Sequence, residues 1–572
     1  MSVSVLEFGD FRLDFQRYAL SRAGRSVRLQ GKPLELLILL TNGRGRLVTR
    51  KEIADRLWGC DVFIDAEHGI NTAVRKLRRA LRDDPEKPRF LETISGKGYR
   101  FIAPVVEIEP EAAGHAARRQ VSIAVLPFVN LSPEKENEYF GDGLAEEIIN
   151  QLAKVPGMKV ASRTSSFFFR ESSIERCEIS KRLNVEHILE GSVRKSGNRF
   201  RITVQLIKLS DGFHLWSERY DREMADIFAI QDEITASIIN ALRITLTPQN
   251  ATSRRYIPNF RAYEAYLKAR SIWFSKNGYE LLADFRRLLE LAIELDPNFA
   301  LARSFLGMYY TMQASLGLQP ARVMIPVAMA VEQEALRVDR FLPEAHALLG
   351  VCIGEYGYDW DNAERHWRLA MDHQPISRDV VFWYGNHFLL PLGRTHEAID
   401  AMERGLQGDP LNLLYRHHYA RGLRLADKLG EAEAELRAIL EIDSEFPAAL
   451  GTLASLCAQQ ERYEEALALA ERAYNLLPWS AVLQAQLAAI LVRTGAYASA
   501  EPLIQTLKSS SACGKSSGLL VLYLLCGKFD EAETHAGHAI ENHDMQLIQT
   551  VGVFLRPQPW WPKLAKRMNV PT

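Results

Sequence analysis

Residues 70–82 read Ile-Asn-Thr-Ala-Val-Arg-Lys-Leu-Arg-Arg-Ala-Leu-Arg, and they decide what the amino-terminal part of the chain is. Ile70, Val74, Leu77 and Leu81 recur at intervals of four, three and four, which on a helix makes one apolar stripe. At 100° per residue, Thr72, Arg75, Lys76 and Arg79 point away from that stripe, with Asn71, Arg78 and Arg82 on its flanks. Residues 75–82 hold five cations, and no acid follows until Asp83 and Asp84. A helix about 10–12 Å across fits the major groove, where outward side chains reach base edges and flanking cations meet phosphates. A merely solvated amphipathic helix would carry the same stripe but would balance its cations.

The neighbouring segments build a small domain around that helix. Leu6, Phe8, Phe11, Leu13 and Phe15 alternate as short strands do. A helix is predicted from Pro33, with Leu34, Leu36, Leu37, Leu39 and Leu40 as its apolar run. Thr49-Arg50-Lys51-Glu52 is a capping box that opens a second helix through Ile53 and Leu57 to Trp58. After the third helix, residues 90–101 form two apolar strands around Gly96-Lys97-Gly98, a β-wing. Thr93, Ser95, Lys97 and Arg100 lie on or beside its tip and complete the candidate DNA-binding set.

These residues resemble the DNA-binding domain of OmpR/PhoB-type regulators over about residues 5–104. The resemblance rests on residues 51–59, on residues 74–81 and on the wing at 96–101. It implies a winged helix-turn-helix that binds double-stranded DNA at promoters, often as tandem protomers, so a dimer on DNA is an expectation. It also implies that the loop near 59–68 touches RNA polymerase. The family often has Arg where Lys76 stands, so the resemblance implies one guanine contact rather than a fork. It often has Arg at Ser95 too, with Lys97 as the candidate substitute. The chain opens on the domain's first strand, so control is expected from the carboxyl-terminal side rather than from a phospho-accepting receiver in front.

Residues 105–120 are small, charged and aperiodic, and are expected to be a linker. Residues 121–245 then alternate strand and helix patterns. Residues 121–128 form a central strand, with further strands near 158–161, 186–194, 200–209 and 213–219. Helices are expected up to Ala153, near 178–183 and over 226–245, with Asp142 or Gly143 capping the first. Residues 125–128, 139–144, 190–194 and 216–221 resemble the TolB amino-terminal domain, which implies an accessory sensing or docking module. Asp142, Glu146 and Glu147 cluster at a helix start, where the helix dipole favours carboxylates without any catalytic role.

Residues 260–550 repeat. Segments beginning at 292, 335, 370, 405, 439 and 473 align, so the intervals are 43, 35, 35, 34 and 34. The tetratricopeptide period is about 34. Ten residues past the end of each segment stand Gly307, Gly350, Gly385, Ala420, Ala454 and Ala488, small enough for two helices to approach closely. The spacing predicts seven or eight helical pairs stacked as a solenoid that takes a protein or peptide partner. Tyr415, His417, His418, Tyr419 and Arg421 are candidates for its lining. Residues 551–572, with Trp560 and Trp561, are expected to cap the last repeat. Gly514-Lys515-Ser516 lacks the upstream glycine of a phosphate loop, since position 509 is Ser.

Charge and composition agree with this division. The 572 residues carry a net charge of -1, yet residues 1–104 hold 20 Lys and Arg against 13 Asp and Glu. A basic end on an acidic body points to a polyanion at that end. The six cysteines are scattered singly, which disfavours a disulfide scaffold or zinc ribbon and fits a reducing compartment. No run of about 18 apolar residues occurs, so no membrane span is expected. The expected fold is therefore multidomain: a winged helix, a small α/β domain and an all-α solenoid. The architecture resembles the CadC-like and HilA-like one-component regulators. A cytoplasmic transcription regulator is expected, with no catalytic residue, metal or cofactor. The rivals are a protein scaffold and an enzyme linked to nucleotide signalling.

Overall fold

Leu6, Phe8, Phe11 and Leu13 are all buried, on strands β1 (Val5–Phe8) and β2 (Phe11–Asp14). The computed structural model describes the chain apart from residues 1–4, 15–18, 23–24, 28, 30, 44, 59–65, 109–120, 135–136, 156, 171–175, 197–198, 224–226, 243–255, 274–280, 373–375, 511–512, 551–553 and 572. It divides into two compact units, Met1–Arg119 and Gln120–Thr572.

In the first unit, β3 (Ala19–Arg22) and β4 (Arg25–Val27) extend the amino-terminal sheet. Helix α1 (Lys32–Asn42) starts with Pro33 in its first turn. Strand β5 (Leu47–Thr49) runs straight into α2 (Arg50–Trp58), and α3 (Ala66–Leu81) follows. The wing is β6 (Leu91–Ile94) and β7 (Gly98–Phe101), with β7 between β5 and β6. Gly98 is needed for that packing, because a Cβ there would overlap the Val48 carbonyl of β5. Phe8, Phe11, Phe90 and Phe101 pack together between the two sheets, Phe8 stacked on Phe11 and edge-to-face with Phe101 at 5.0 Å between ring centres. Strand β8 (Val106–Ile108) pairs antiparallel with β1, Val5 opposite Ile108, so the first residues of the expected linker belong to this sheet. Its remainder, 109–120, lies outside the described residues.

The second unit opens on β9 (Val121–Val125), buried in mid-sheet between β11 (Met158–Val160) and β12 (His187–Ser196) and parallel to both. The short β10 (Val129–Asn130) also pairs with β12, while β13 (Arg199–Lys208) and β14 (His214–Glu223) complete an antiparallel meander. Helices α4 (Glu138–Ala153), α5 (Arg163–Phe167), α6 (Arg176–Leu183) and α7 (Ile227–Ala241) accompany the sheet. Asp142 and Gly143 do not cap α4, which begins at Glu138. The glycines serve contact instead. A Cβ on Gly141 would lie 2.7 Å from the Phe128 carbonyl oxygen, and one on Gly143 would lie 2.5 Å from Leu267.

Eight helical pairs follow among the described residues. They are α8 (Phe260–Trp273) with α9 (Leu282–Leu295), α10 (Ala300–Ser315) with α11 (Ala321–Val338), and α12 (Pro343–Val351) with α13 (Trp360–Met371). Then come α14 (Arg378–Tyr384) with α15 (Thr395–Leu406), and α16 (Leu413–Leu425) with α17 (Leu429–Ile442). The last are α18 (Pro447–Gln459) with α19 (Tyr463–Leu476), α20 (Ala481–Arg493) with α21 (Tyr497–Ser509), and α22 (Lys515–Leu525) with α23 (Phe529–Glu541). The small residues sit where helices meet: a Cβ on Gly350 would lie 2.7 Å from the Trp367 indole nitrogen. The long 43-residue interval is taken up by α10, α11 and the turn between them.

The solenoid and the α/β sheet share one core. Ile123, Val125 and Phe140 cluster with Tyr263, Tyr266 and Phe285 of the first pair. An ion pair reinforces this contact, Arg270 of α8 with Glu146, while within the α/β module Arg163 also meets Glu146 at 3.2 Å and Arg170 meets Asp142. Asp142 and Glu146 of the candidate acidic cluster are thus paired with arginines. A second contact lies farther along, where buried Asp409 accepts hydrogen bonds from the Ser162 and Ser165 hydroxyls, the latter at 2.7 Å. At the carboxyl end, α24 (Gln546–Thr550) and α25 (Trp561–Arg567) turn back onto earlier repeats. Trp360 donates its indole N–H to the Met568 carbonyl at 2.8 Å, and Trp561 is buried in the same cluster as Trp360. The tail therefore ties the last pair to the third pair as well as covering it.

Candidate nucleic-acid interface

The third helix is set by its buried stripe: Ile70, Val74, Leu77 and Leu81 are each at most 5% exposed. Arg75, Lys76, Arg79 and Arg82 are exposed on the other side, and Thr72 is half-buried. Among the described residues, none of these four cations meets a carboxylate within salt-bridge distance. They form an uncompensated positive ridge. Arg82 stands in the left-handed region at φ 55°, just past the helix. The Asp83 N–H then bonds the Arg78 carbonyl at 2.9 Å and the Arg82 N–H bonds that of Arg79, which closes the helix as a Schellman turn.

Other predicted residues are engaged within the domain. Arg78 donates to the Leu91 carbonyl at 2.9 Å and to the Thr93 hydroxyl at 2.8 Å, so it locks α3 onto the first wing strand. Arg100 pairs with Glu92 at 3.3 Å across the wing. The Asn71 amide oxygen accepts from Arg50 Nη2 at 2.8 Å, while Arg50 Nη1 donates to the Tyr99 hydroxyl at 3.0 Å. Ser95 and Lys97 are exposed on the turn, and the Lys97 N–H closes it on the Ile94 carbonyl at 2.9 Å. The structure thus brings α3 and the wing together through Arg78, Thr93, Asn71 and Tyr99. Arg75, Lys76, Arg79, Arg82 and Lys97 stay open.

Two supporting residues were not legible in the sequence. Arg50 looked like part of a capping box, and only the packing brings it beneath α3. Asp83 looked like the acid that ends a basic run. It is buried, and its carboxylate accepts from the backbone N–H groups of Arg89, Phe90 and Leu91 at 2.7, 3.0 and 2.9 Å. The pair Asp83-Asp84 after a helix was the available signal. The capping box itself is present: Glu52 accepts from the Thr49 N–H at 2.7 Å, and the Thr49 hydroxyl accepts from the Glu52 N–H at 3.2 Å. That backbone bond, followed by Arg46, holds the Glu52 carboxyl down at about 2. The loop near 59–68 falls on residues 59–65, outside the described residues, and on 66–68, whose side chains are likewise outside them.

The candidate solenoid lining divides. Tyr415 and His417 are buried; Tyr415 stacks on Phe382 at 3.9 Å and donates its hydroxyl to Asp379 at 3.1 Å. They belong to the packing rather than to a lining. Tyr419 donates to Glu403 at 2.7 Å, and His418 faces Arg421 at 3.0 Å. No group of three or more His, Cys, Asp or Glu side chains suited to a metal ion occurs among the described residues. No helix among them is long and apolar enough to cross a membrane.

Comparison with known proteins agrees with this geometry. Residues 24–101 match the family described as "Transcriptional regulatory protein, C terminal", and residues 119–237 match "HilA/YgeH-like transcriptional regulator, second domain". The "Transcriptional regulator HilA" of Salmonella typhi is 23% identical over 437 residues, 74% of this chain and 75% of that protein. The "Putative adenylate cyclase 3" of Rhizobium meliloti (strain 1021) is 36% identical over 273 residues, 47% of this chain. The chain spans about half the length of that relative, 46%. Among solved structures, the Thermotoga maritima response regulator DrrB, an OmpR/PhoB homolog, is 31% identical over 17% of this chain and 44% of that chain, with a TM-score of 0.16. The chain therefore carries an OmpR/PhoB-type DNA-binding domain followed by a HilA-like domain.

Proposed function

We propose that this chain is a one-component transcription regulator whose first unit binds double-stranded DNA sequence-specifically and whose second unit receives the signal. The observation that carries the reading is the ridge of Arg75, Lys76, Arg79 and Arg82, unpaired among the described residues, on a helix locked to its wing. Lys76 and Thr72 face base edges in the major groove. Arg75, Arg79 and Arg82 take phosphates, and Lys97 follows the backbone into the adjacent minor groove. Arg78, Asn71, Thr93 and Arg100 hold these groups in place. A cytoplasmic location, contact of the 59–68 loop with RNA polymerase and paired protomers on direct repeats belong to the same reading.

A salt titration tests it. Each phosphate neutralised lowers the slope of log K against log salt by about 0.9, and each cation removed returns about one unit. Four engaged cations give a slope between about −3 and −4. The variants Arg75→Ala and Arg79→Ala each flatten it without changing base preference, whereas Lys76→Ala also relaxes preference. A scaffold whose winged helix binds only protein would show no salt-dependent DNA binding. The adenylate-cyclase relative raises an enzymatic alternative, which release of pyrophosphate from ATP by the purified chain would support.

A further inference from the structure

The two repeats of 35 residues are the two whose first helices run on into a π-turn, Cys352–Tyr356 after α12 and Gly385–Leu389 after α14. π-turns inside helices gather at functional sites. The first of these forms one wall of a groove of about 630 Å³ between α11, α12 and α13. Met329 and Leu336 line it from α11, Leu349 from α12, Ile353 and Tyr356 from the turn, and His366 from α13. Leu349 and Ile353 are buried, and Met329, Leu336 and Tyr356 are half-buried. Sites for small molecules have this character: about 300–1,000 Å³, mostly apolar, with a few placed polar groups.

A chain of hydrogen bonds fixes the polar group of this groove. His346 Nε2 lies 3.1 Å from the Arg340 carbonyl, to which it can only donate. Burial pushes the pKa of both His346 and His366 down, so each ring is neutral at pH 7, with one donor and one acceptor nitrogen. His346 Nδ1 is therefore an acceptor, and His366 Nδ1 donates to it at 3.1 Å. That leaves His366 Nε2 as a lone pair, without a protein partner among the described residues. The charged side chains on the wall are already engaged: Arg337 pairs with Glu334, and Asp359 accepts the Asn362 N–H at 3.1 Å as the cap of α13. We propose that the groove binds a small neutral molecule with an apolar body and one hydroxyl or N–H group, the body against Met329, Leu336 and Ile353 and the donor on His366 Nε2. The π-turn is the device that sets Ile353 and Tyr356 against that molecule. The site lies in the second unit and does not rest on DNA binding.

The test is calorimetric titration of the full chain at pH 7 with p-cresol and, separately, with p-methylanisole, which has a similar body but no donor. The expected result is saturable one-to-one binding of p-cresol with a Kd of about 1 mM or tighter. Binding of p-methylanisole should be about two- to tenfold weaker, the worth of one hydrogen bond. His366→Phe should weaken p-cresol by the same factor and leave p-methylanisole unchanged. The triple variant Arg75→Ala, Lys76→Ala, Arg79→Ala should bind p-cresol as the wild type does. Absence of saturable p-cresol binding overturns the proposal, as does equal affinity for the two probes or equal p-cresol affinity in wild type and His366→Phe. Should His366→Phe not fold, methyl NMR of the methionine-labelled wild-type chain decides, with the Met329 signal assigned through Met329→Leu. A shift of that signal on adding p-cresol supports the site, and an unmoved signal overturns it.

Discussion

Arg82 sits where a glycine would be most comfortable. A non-glycine residue at φ 55° pays for its conformation, yet this one keeps a cation at the end of the ridge proposed to face DNA. Arg82→Gly should therefore stabilise the first unit by about 0.5–1 kcal/mol in urea unfolding while weakening DNA binding. Opposite signs in the two assays would mark a residue kept for function. Glu52 gives a pH signature. Its carboxyl, held at about 2 when folded, would titrate near 4.3 unfolded. Its stabilisation is present above about pH 4.3 and is lost as pH falls towards 2. The gap in melting temperature between wild type and Glu52→Ala should accordingly close across that window. The ridge and capping box were legible because helix periodicity fixes direction. The Asp83 and Arg50 contacts were not, because they join segments that only the tertiary fold brings together.

At the scale of helices, one rule explains the repeat and its exceptions. Small residues at a fixed phase let paired helices touch, and the clearance around each sets the cost of breaking that rule. Gly350→Val would drive side-chain atoms into Trp367 and should cost about 1–3 kcal/mol in denaturant unfolding. Gly430→Ala, where no atom lies within 4 Å of a new Cβ, should instead stabilise by about 0.5 kcal/mol. Equal effects at the two positions would contradict the packing account. The repeat was legible from spacing alone, including its two 35-residue members. That the additional residue becomes a π-turn was not, since a loop insertion gives the same interval. Asp142 and Gly143 misled for a related reason: a cap and a close helix contact use the same residue types.

Across the whole chain, the sequence marked three modules, whereas the structure has two compact units. The second is larger than either module it contains because α8 completes the core of the α/β sheet through Tyr263, Tyr266 and Leu267. Residues 120–572 should accordingly survive limited proteolysis as one fragment, while 121–245 expressed alone should be unstable and bind hydrophobic dyes. A stable, cooperatively folding 121–245 fragment would contradict the shared core. The module pattern was readable from changes in periodicity. The fusion was not, because long-range burial leaves no local signature.

The most direct measurement is selection of bound fragments from genomic DNA by the full-length chain, set beside the Arg75→Ala, Lys76→Ala, Arg79→Ala variant. Enrichment of a shared motif by the wild type, lost in the variant, is the predicted result. Failure of both the full chain and residues 1–119 to enrich any motif, or a motif that survives in the variant, would contradict it.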